Sequence, residues 1–197
     1  MNPMGWSPLE WSAVVVTVIN VYLAARASVW NFAFGLLSVA LYGFILWDQK
    51  LYANFGLNVF YYLPMTLIGW WVWLRAGPKK DDDLPIRLQP LHINAIWLGI
   101  ALGAAIPLQM LLQKLNGSAT WPDAITTSFS LVGQYYLTRK FAEQWLFWIV
   151  ANFIYAFVVF PQLKMMPSAI LYGVLLVMAV YGWVSWLRAA RTGASHA

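Results

Sequence analysis

The side chains that could touch a ligand are few, and they sit inside apolar surroundings where an unsatisfied polar group is expensive. The segment TTSFSLVGQ (126–134) carries Thr127, Ser130 and Gln134 at three–four spacing, which puts them on one face of a helix. A carboxamide has more donors and acceptors than its own helix can satisfy, so Gln134 points to a ligand or a neighbouring helix. The hydroxyls of Thr127 and Ser130 can instead bond back to their own backbone. Asn152, with Tyr155 three residues on, offers a second amide beside an aromatic hydroxyl. Trp70, Tyr181 and Trp183 lie deep enough in their apolar runs to face a cavity, whereas Trp6, Trp47, Trp73 and Trp186 fit an interfacial belt. Asn20, Asn31, Asn58 and Asn94 fit interhelical hydrogen bonds. Together these groups do recognition chemistry. Amides and hydroxyls orient a sugar, and ring faces attract a flat cation.

Catalytic chemistry has little to work with. The chain has no Cys and two His, His92 and His196, which leaves no thiolate and no histidine cluster for a metal. Glu10 and Asp123 are the one carboxylate pairing, and a place at the start of a helix accounts for both. We therefore expect no catalytic residues, no metal, no cofactor and no enzyme.

The elements that must hold these side chains follow from composition. Of 197 residues, 61% are hydrophobic and 10% charged, with a mean hydropathy of +0.63. Soluble domains are about a quarter charged, so this chain cannot wet its own surface. Seven runs are long enough and free enough of interior charge to cross a bilayer: 9–25, 29–47, 53–74, 91–112, 122–138, 145–161 and 168–188. They are continuous rather than alternating, which predicts helices and not barrel strands. Residues 9–25 lack a basic start and a small-residue cleavage site, so they read as a mature helix. Residues 76–90 read as a solvated linker. Pro64, Pro107 and Pro161 are places for bends.

Seven crossings sort the 12 basic residues. Arg26, Arg75, Lys79, Lys80, Arg87, Arg139, Lys140, Arg188 and Arg191 fall on one side; Lys50, Lys114 and Lys164 fall on the other. The positive-inside rule then puts the N-terminus outside and the C-terminus in the cytoplasm. The net charge of +5 is thereby a matter of topology, not of nucleic acid.

Sliding the chain against itself by 113 residues aligns Tyr22 with Tyr135, Arg26 with Arg139, Tyr42 with Tyr155 and Met65 with Met178, and MTLIGWWVWLR with MAVYGWVSWLR. Four crossings separate the copies, so both point the same way. This predicts one transmembrane domain over 1–197, with a first three-helix repeat at 9–75, a linker helix at 91–112 and a second repeat at 122–188. Such parallel repeats are a transporter architecture, with sites near midplane where the halves meet. A seven-helix receptor shares the count but leaves the duplication without a reason.

WPDAITTSFSLVGQYYLTRKFAEQWLFWIVANFIYAFVVF (121–160), WNFAFGLLSVALYGFILWDQKLYANFGLNVFYY (30–62) and the helix ends GWWVWLR and GWVSWLR carry a resemblance. Their W-x-D, S-L-V-G-Q, RK and E-x-W-x-x-W elements resemble the PnuC family of bacterial vitamin transporters. The resemblance covers nearly the whole chain and is weakest in 91–112. It implies an all-α membrane protein with seven transmembrane helices in a SWEET-like parallel 3+1+3 repeat. It also implies facilitated diffusion (uniport) of nicotinamide riboside across the inner membrane, trapped afterwards by a cytoplasmic kinase. Thiamine and riboflavin are the alternative substrates. By match to the family's binding helices it assigns Gln134, Thr127, Asn152, Tyr155 and Trp183 to the substrate; the helix face adds Ser130, and depth adds Tyr181 and Trp70. Three departures bear on which vitamin is carried: Gln144 where the family often has Asn, Asn152 where Asp is common, and Lys164-Met165-Met166 before the last helix. The expected partners are the bilayer and a small cationic aromatic nucleoside or vitamin. A second copy of the chain, in a homo-oligomer, is a further possible partner.

Overall fold

The computed structural model describes residues 7–48, 52–75, 85–114, 120–162 and 166–192. Among them the chain is helical in seven runs, and the sequence-based boundaries fall within a few residues of each. The first two are α1 (Pro8–Ala25) and α2 (Trp30–Asp48). The third is α3 (Tyr52–Leu57), a π-helical turn (Asn58–Tyr62) and α4 (Leu63–Arg75). Then come α5 (Leu91–Lys114) and α6 (Thr120–Thr138). The sixth is α7 (Gln144–Ile154), a π turn (Tyr155–Val159) and α8 (Phe160–Gln162), and the last is α9 (Met166–Thr192). Trp6 and Lys164-Met165 lie outside the described residues.

Four helices are long and apolar enough to cross a membrane: Pro8–Ala25, Leu91–Lys114, Gln144–Gln162 and Ser168–Thr192. Trp30–Ile45 is a shorter apolar helix. The other two runs owe their lower hydropathy to Tyr and Trp in 52–75, and to Thr, Ser and Gln in 120–138.

Each helix start and bend has a local cause. At α1, Ser7 Oγ accepts from the Glu10 amide at 3.2 Å, and Glu10 Oε2 accepts from the Ser7 amide at 2.6 Å. This reciprocal capping box satisfies two otherwise orphaned donors. Each π turn ends two residues before a proline, Pro64 or Pro161. A proline ring strikes the carbonyl four residues back and supplies no N–H. Those carbonyls belong to Phe60 and Phe157, in the middle of the widened turns, so the π geometry makes room for the ring. Pro107, by contrast, sits within an unbroken α5.

The helices pack as two groups that exchange partners. α1 lies on α2 and α9; α6 lies on α7, α4 and α5; α2 meets α4, and α7 meets α9. Positions 113 apart make the same contacts. Ala27 and Lys140 are the two non-glycine residues with positive φ among those described, at 51° and 55°. Around them Ala27 N bonds Ala24 O and Ser28 N bonds Leu23 O, while Lys140 N bonds Leu137 O and Phe141 N bonds Tyr136 O. Phe32 packs edge-on to Trp73 at 4.9 Å, and Trp145 edge-on to Trp186 at 5.8 Å, both at 88°. The ring of Phe32 fills the space beside Gly69, and that of Trp145 the space beside Gly182. Glycine at these two sites lets a ring lie against the helix backbone, the close approach that drives helix association where lipid removes the hydrophobic incentive.

Trp73 and Trp186 lie 6.2 Å apart where the two groups meet. Trp73 Nε1 donates to Leu137 O at 3.2 Å, and Trp186 Nε1 donates to Ala24 O and Ala25 O at 3.1 Å. Leu137 and Ala24 are themselves 113 apart, near the C-termini of α6 and α1, and each carbonyl takes the indole as a second donor beside the backbone N–H of the turn, from Lys140 and Ala27. Each indole thus caps the first helix of the other group. Trp73 and Trp186 are 5% and 0% exposed, so they are core residues and not members of an interfacial belt. The belt assignment failed because GW-x-x-W ends look interfacial by depth, while the carbonyls they cap lie inside. Trp47, 59% exposed, keeps the outer position expected of it.

The linker also departs from a solvated loop. Arg87 N bonds Lys140 O at 3.0 Å, and Ala142 N bonds Arg87 O at 2.9 Å. Glu143 Oε1 accepts from Gln89 N at 2.8 Å and from Asn94 Nδ2 at 3.2 Å, and Ile86 is buried. Residues 85–90 therefore strap the α6–α7 turn. The charged part of the linker, 76–84, lies outside the described residues.

Candidate functional site

α6 is the most polar helix because it is the most enclosed, with α4, α5, α7 and the second π turn around it. Its hydroxyls divide by partner. Thr126, Ser128 and Thr138 bond back to carbonyls of their own helix at 2.9–3.0 Å. Ser130, 5% exposed, instead pairs with Tyr62 of the first π turn. Thr127 is partly buried, and Gln134 is 8% exposed.

Depth along α6 can be measured against α4. Tyr61 Oη donates to Leu131 O at 2.5 Å and Trp73 Nε1 to Leu137 O, so the two runs ascend together. Trp70 lies three residues before Trp73, and Gln134 three before Leu137, about 4.5 Å in each case. Trp70 and Gln134 therefore each lie within one helical turn of the Trp73–Leu137 contact. Trp183 stands in the same relation to Trp186, and it is 113 residues from Trp70. Both tryptophans are half-buried against the central aromatic cluster. Gln134 thus lies one turn from Leu137, a member of the cluster against which the matched tryptophans pack.

A second group forms further along α6, towards its N-terminus. Tyr155, first residue of the second π turn, donates from its hydroxyl to Asp123 Oδ1 at 3.2 Å and also pairs with Thr126. Its ring stacks on Phe160 at 5.4 Å and meets Tyr172 at 4.8 Å. Tyr172 lies within electrostatic reach of Tyr42, Tyr62, Tyr155 and Asp123. The four tyrosines come from α2, the two π turns and α9, and all stay partly accessible. Asn152 is 6% exposed, three residues before Tyr155.

Of the eight residues singled out in the sequence, Ser130 and Tyr155 enter this tyrosine group. Gln134, Trp70 and Trp183 share the deeper region, and Thr127 and Asn152 lie on the inward elements that border both. Tyr181 does not join them. It is 52% exposed on the outer face of α9, in a shallow groove with Val177, Val184 and Arg188. Asp123, Tyr42, Tyr62 and Tyr172 were not singled out. Asp123 reads as a helix-start acid until Tyr155 is seen to reach it, although its spacing of 113 from Glu10 was visible. Among the described residues no group of three His, Cys, Asp or Glu could hold a metal ion.

The arrangement is one of ring faces, amides, hydroxyls and one carboxylate. Comparison with known proteins gives its family. Nicotinamide riboside transporter PnuC of Escherichia coli (strain K12) is 28% identical, over 98% of this chain and 92% of its own length. Nicotinamide riboside transporter PnuC of Neisseria mucosa is 27% identical, over 95% of this chain and 74% of its own. The crystal structure of the vitamin B3 transporter PnuC superposes with a TM-score of 0.77 at 24% identity, covering 98% of this chain and 85% of that one, and so shares the fold. The sequence pattern of the nicotinamide mononucleotide transporter family matches residues 7–188, and this chain belongs to that family of membrane transporters.

Proposed function

We propose that this protein carries nicotinamide riboside across the bacterial inner membrane by facilitated diffusion, binding it at the level of Gln134, Trp70 and Trp183. The observation that carries the reading is the matched tryptophan pair packed on a cluster one turn from the buried carboxamide of Gln134. The rings suit a pyridinium, and Gln134 with Asn152 suits ribose hydroxyls. The names of the relatives give the riboside, while the family's name gives the mononucleotide. The mononucleotide adds a phosphate, which calls for Arg or Lys. The spans hold no basic residue in their interiors; the buried Lys140 lies beyond them in the α6–α7 turn, with its ammonium over the Trp73 ring. That favours the riboside.

The transport unit in this reading is a seven-span, SWEET-like parallel 3+1+3 repeat. Its halves are 9–75 and 122–188, joined by the helix 91–112. The N-terminus is periplasmic and the C-terminus cytoplasmic. Support comes from the contacts repeated at a separation of 113, above all the exchanged indole caps, and from the segregation of basic residues. With no ionisable relay at mid-span, nothing drives accumulation, and a cytoplasmic kinase that phosphorylates the riboside retains it. Counterflow of labelled nicotinamide riboside into proteoliposomes tests the proposal. Uptake that saturates and needs no ion gradient is expected. Uptake of thiamine or riboflavin in its place rejects the substrate.

A further inference from the structure

Asp123 has no place in the reading above, and a helix start does not explain what it does. Its counterpart 113 residues earlier, Glu10, bonds the Ser7 amide and caps its own helix. Asp123 instead receives the Tyr155 hydroxyl from another span. Asp123 is half-buried, and Oδ1 is the carboxylate oxygen that Tyr155 bonds. The surroundings are aromatic: Tyr155 stacked on Phe160, and Tyr172 against both at 4.8 and 5.0 Å. Tyr62, on the first π turn, is within electrostatic reach of Tyr155 and Tyr172. Asp123 and Gln134 are eleven residues apart on one helix, about 16 Å at 1.5 Å per residue.

We propose that Asp123 and the rings of Tyr62, Tyr155, Phe160 and Tyr172 form an outer subsite that selects for positive charge, through which a cationic aromatic ring passes before it reaches the depth of Gln134. This rests on the transport reading and adds to it the basis of discrimination. Ring faces attract a cation and a neutral ring of the same shape to different degrees, and a nearby carboxylate widens the difference. Tyr155 holds the carboxylate by one oxygen and leaves the other to face the ligand. Catalysis plays no part, and Asp123 acts on which ligand is admitted.

The test compares nicotinamide riboside with its reduced dihydropyridine form, which keeps the shape and loses the charge. Initial uptake of both is measured in proteoliposomes holding the wild-type protein, Asp123→Asn, Asp123→Glu or Tyr155→Phe. The wild type is expected to favour the cation by roughly tenfold or more, the range a screened carboxylate can supply. Asp123→Asn should bring the ratio to within about threefold by raising the KM of the cation. Asp123→Glu and Tyr155→Phe, which keep the charge, should keep the preference. A wild type without preference for the cation overturns the inference. So does an Asp123→Asn variant that loses both ligands equally or keeps the wild-type ratio. A wild type that carries no nicotinamide riboside at all overturns the functional reading instead, which separates the two failures.

Discussion

Replacing Gly182 with alanine should lower stability through one identifiable collision. A Cβ at this position would lie 2.5 Å from Trp145 Cε2, 2.6 Å from Cζ2 and 2.7 Å from Cδ2, all well inside contact distance. Trp145 cannot swing away cheaply. It is 2% exposed and set edge-on against Trp186, which is itself fully buried. Forcing a methyl group into packed surroundings costs about 1–3 kcal/mol. Alanine returns about 0.5–1 kcal/mol of helix propensity, leaving a net loss of up to about 2.5 kcal/mol. For a chain of this size each kcal/mol moves Tm by about 2–4 °C, so thermal unfolding in detergent should shift down by up to about 10 °C. Gly173 provides the control, because nothing lies within 4 Å of its would-be Cβ. Gly173→Ala should leave Tm unchanged or raise it. Trp145→Leu removes the colliding atoms, so in that background Gly182→Ala should lose its penalty, a coupling of about 1–2 kcal/mol. A Gly182→Ala variant that melts at or above the wild-type temperature, with no coupling to Trp145, would refute the reasoning.

Three further outcomes follow from geometry already described. Trp73→Phe and Trp186→Phe each remove one of the donors to a helix-end carbonyl, with Lys140 N and Ala27 N remaining, and should each cost about 0.5–1.5 kcal/mol; a large loss at one site with none at the other would count against reciprocal capping. Glu143→Ala removes the acceptor for Gln89 N and Asn94 Nδ2, so limited proteolysis should cut 85–90 faster than in wild type while the helices stay intact. Gln134→Ala should abolish most of the thermal stabilisation by nicotinamide riboside, which in wild type reaches about 2.7 kcal/mol at a hundredfold excess over Kd; full retention would move the site elsewhere.

Much of this was legible in the sequence because bilayer thickness and helical rise leave few choices for an uncharged run. The register of 113 was visible too, since Arg26 and Arg139 anchor it outside the apolar noise. What stayed hidden was facing. In a membrane protein the outer surface is as apolar as the core, so Tyr181 and Trp183, two residues apart, carried equal claims until α9 was seen to turn one outward. The π turns were hidden as well. Pro64 and Pro161 marked bends, but a proline does not say whether its helix kinks or widens. Nor did the sequence show that 85–90 grips Lys140 and Ala142, because those bonds use backbone groups that every residue carries.

The crossed indole caps have a consequence for how the molecule is made. Trp73 is synthesised 64 residues before Leu137, whose carbonyl it needs, so the early helices wait in the bilayer with an indole N–H that has no acceptor. The carbonyl of Ala25 waits longer still, since its donor Trp186 comes 161 residues later. A chain that stalls midway therefore carries exposed polar groups in hydrocarbon, a mark by which a membrane protease can tell it from a finished one. Two separately encoded halves should escape that fate only when produced together.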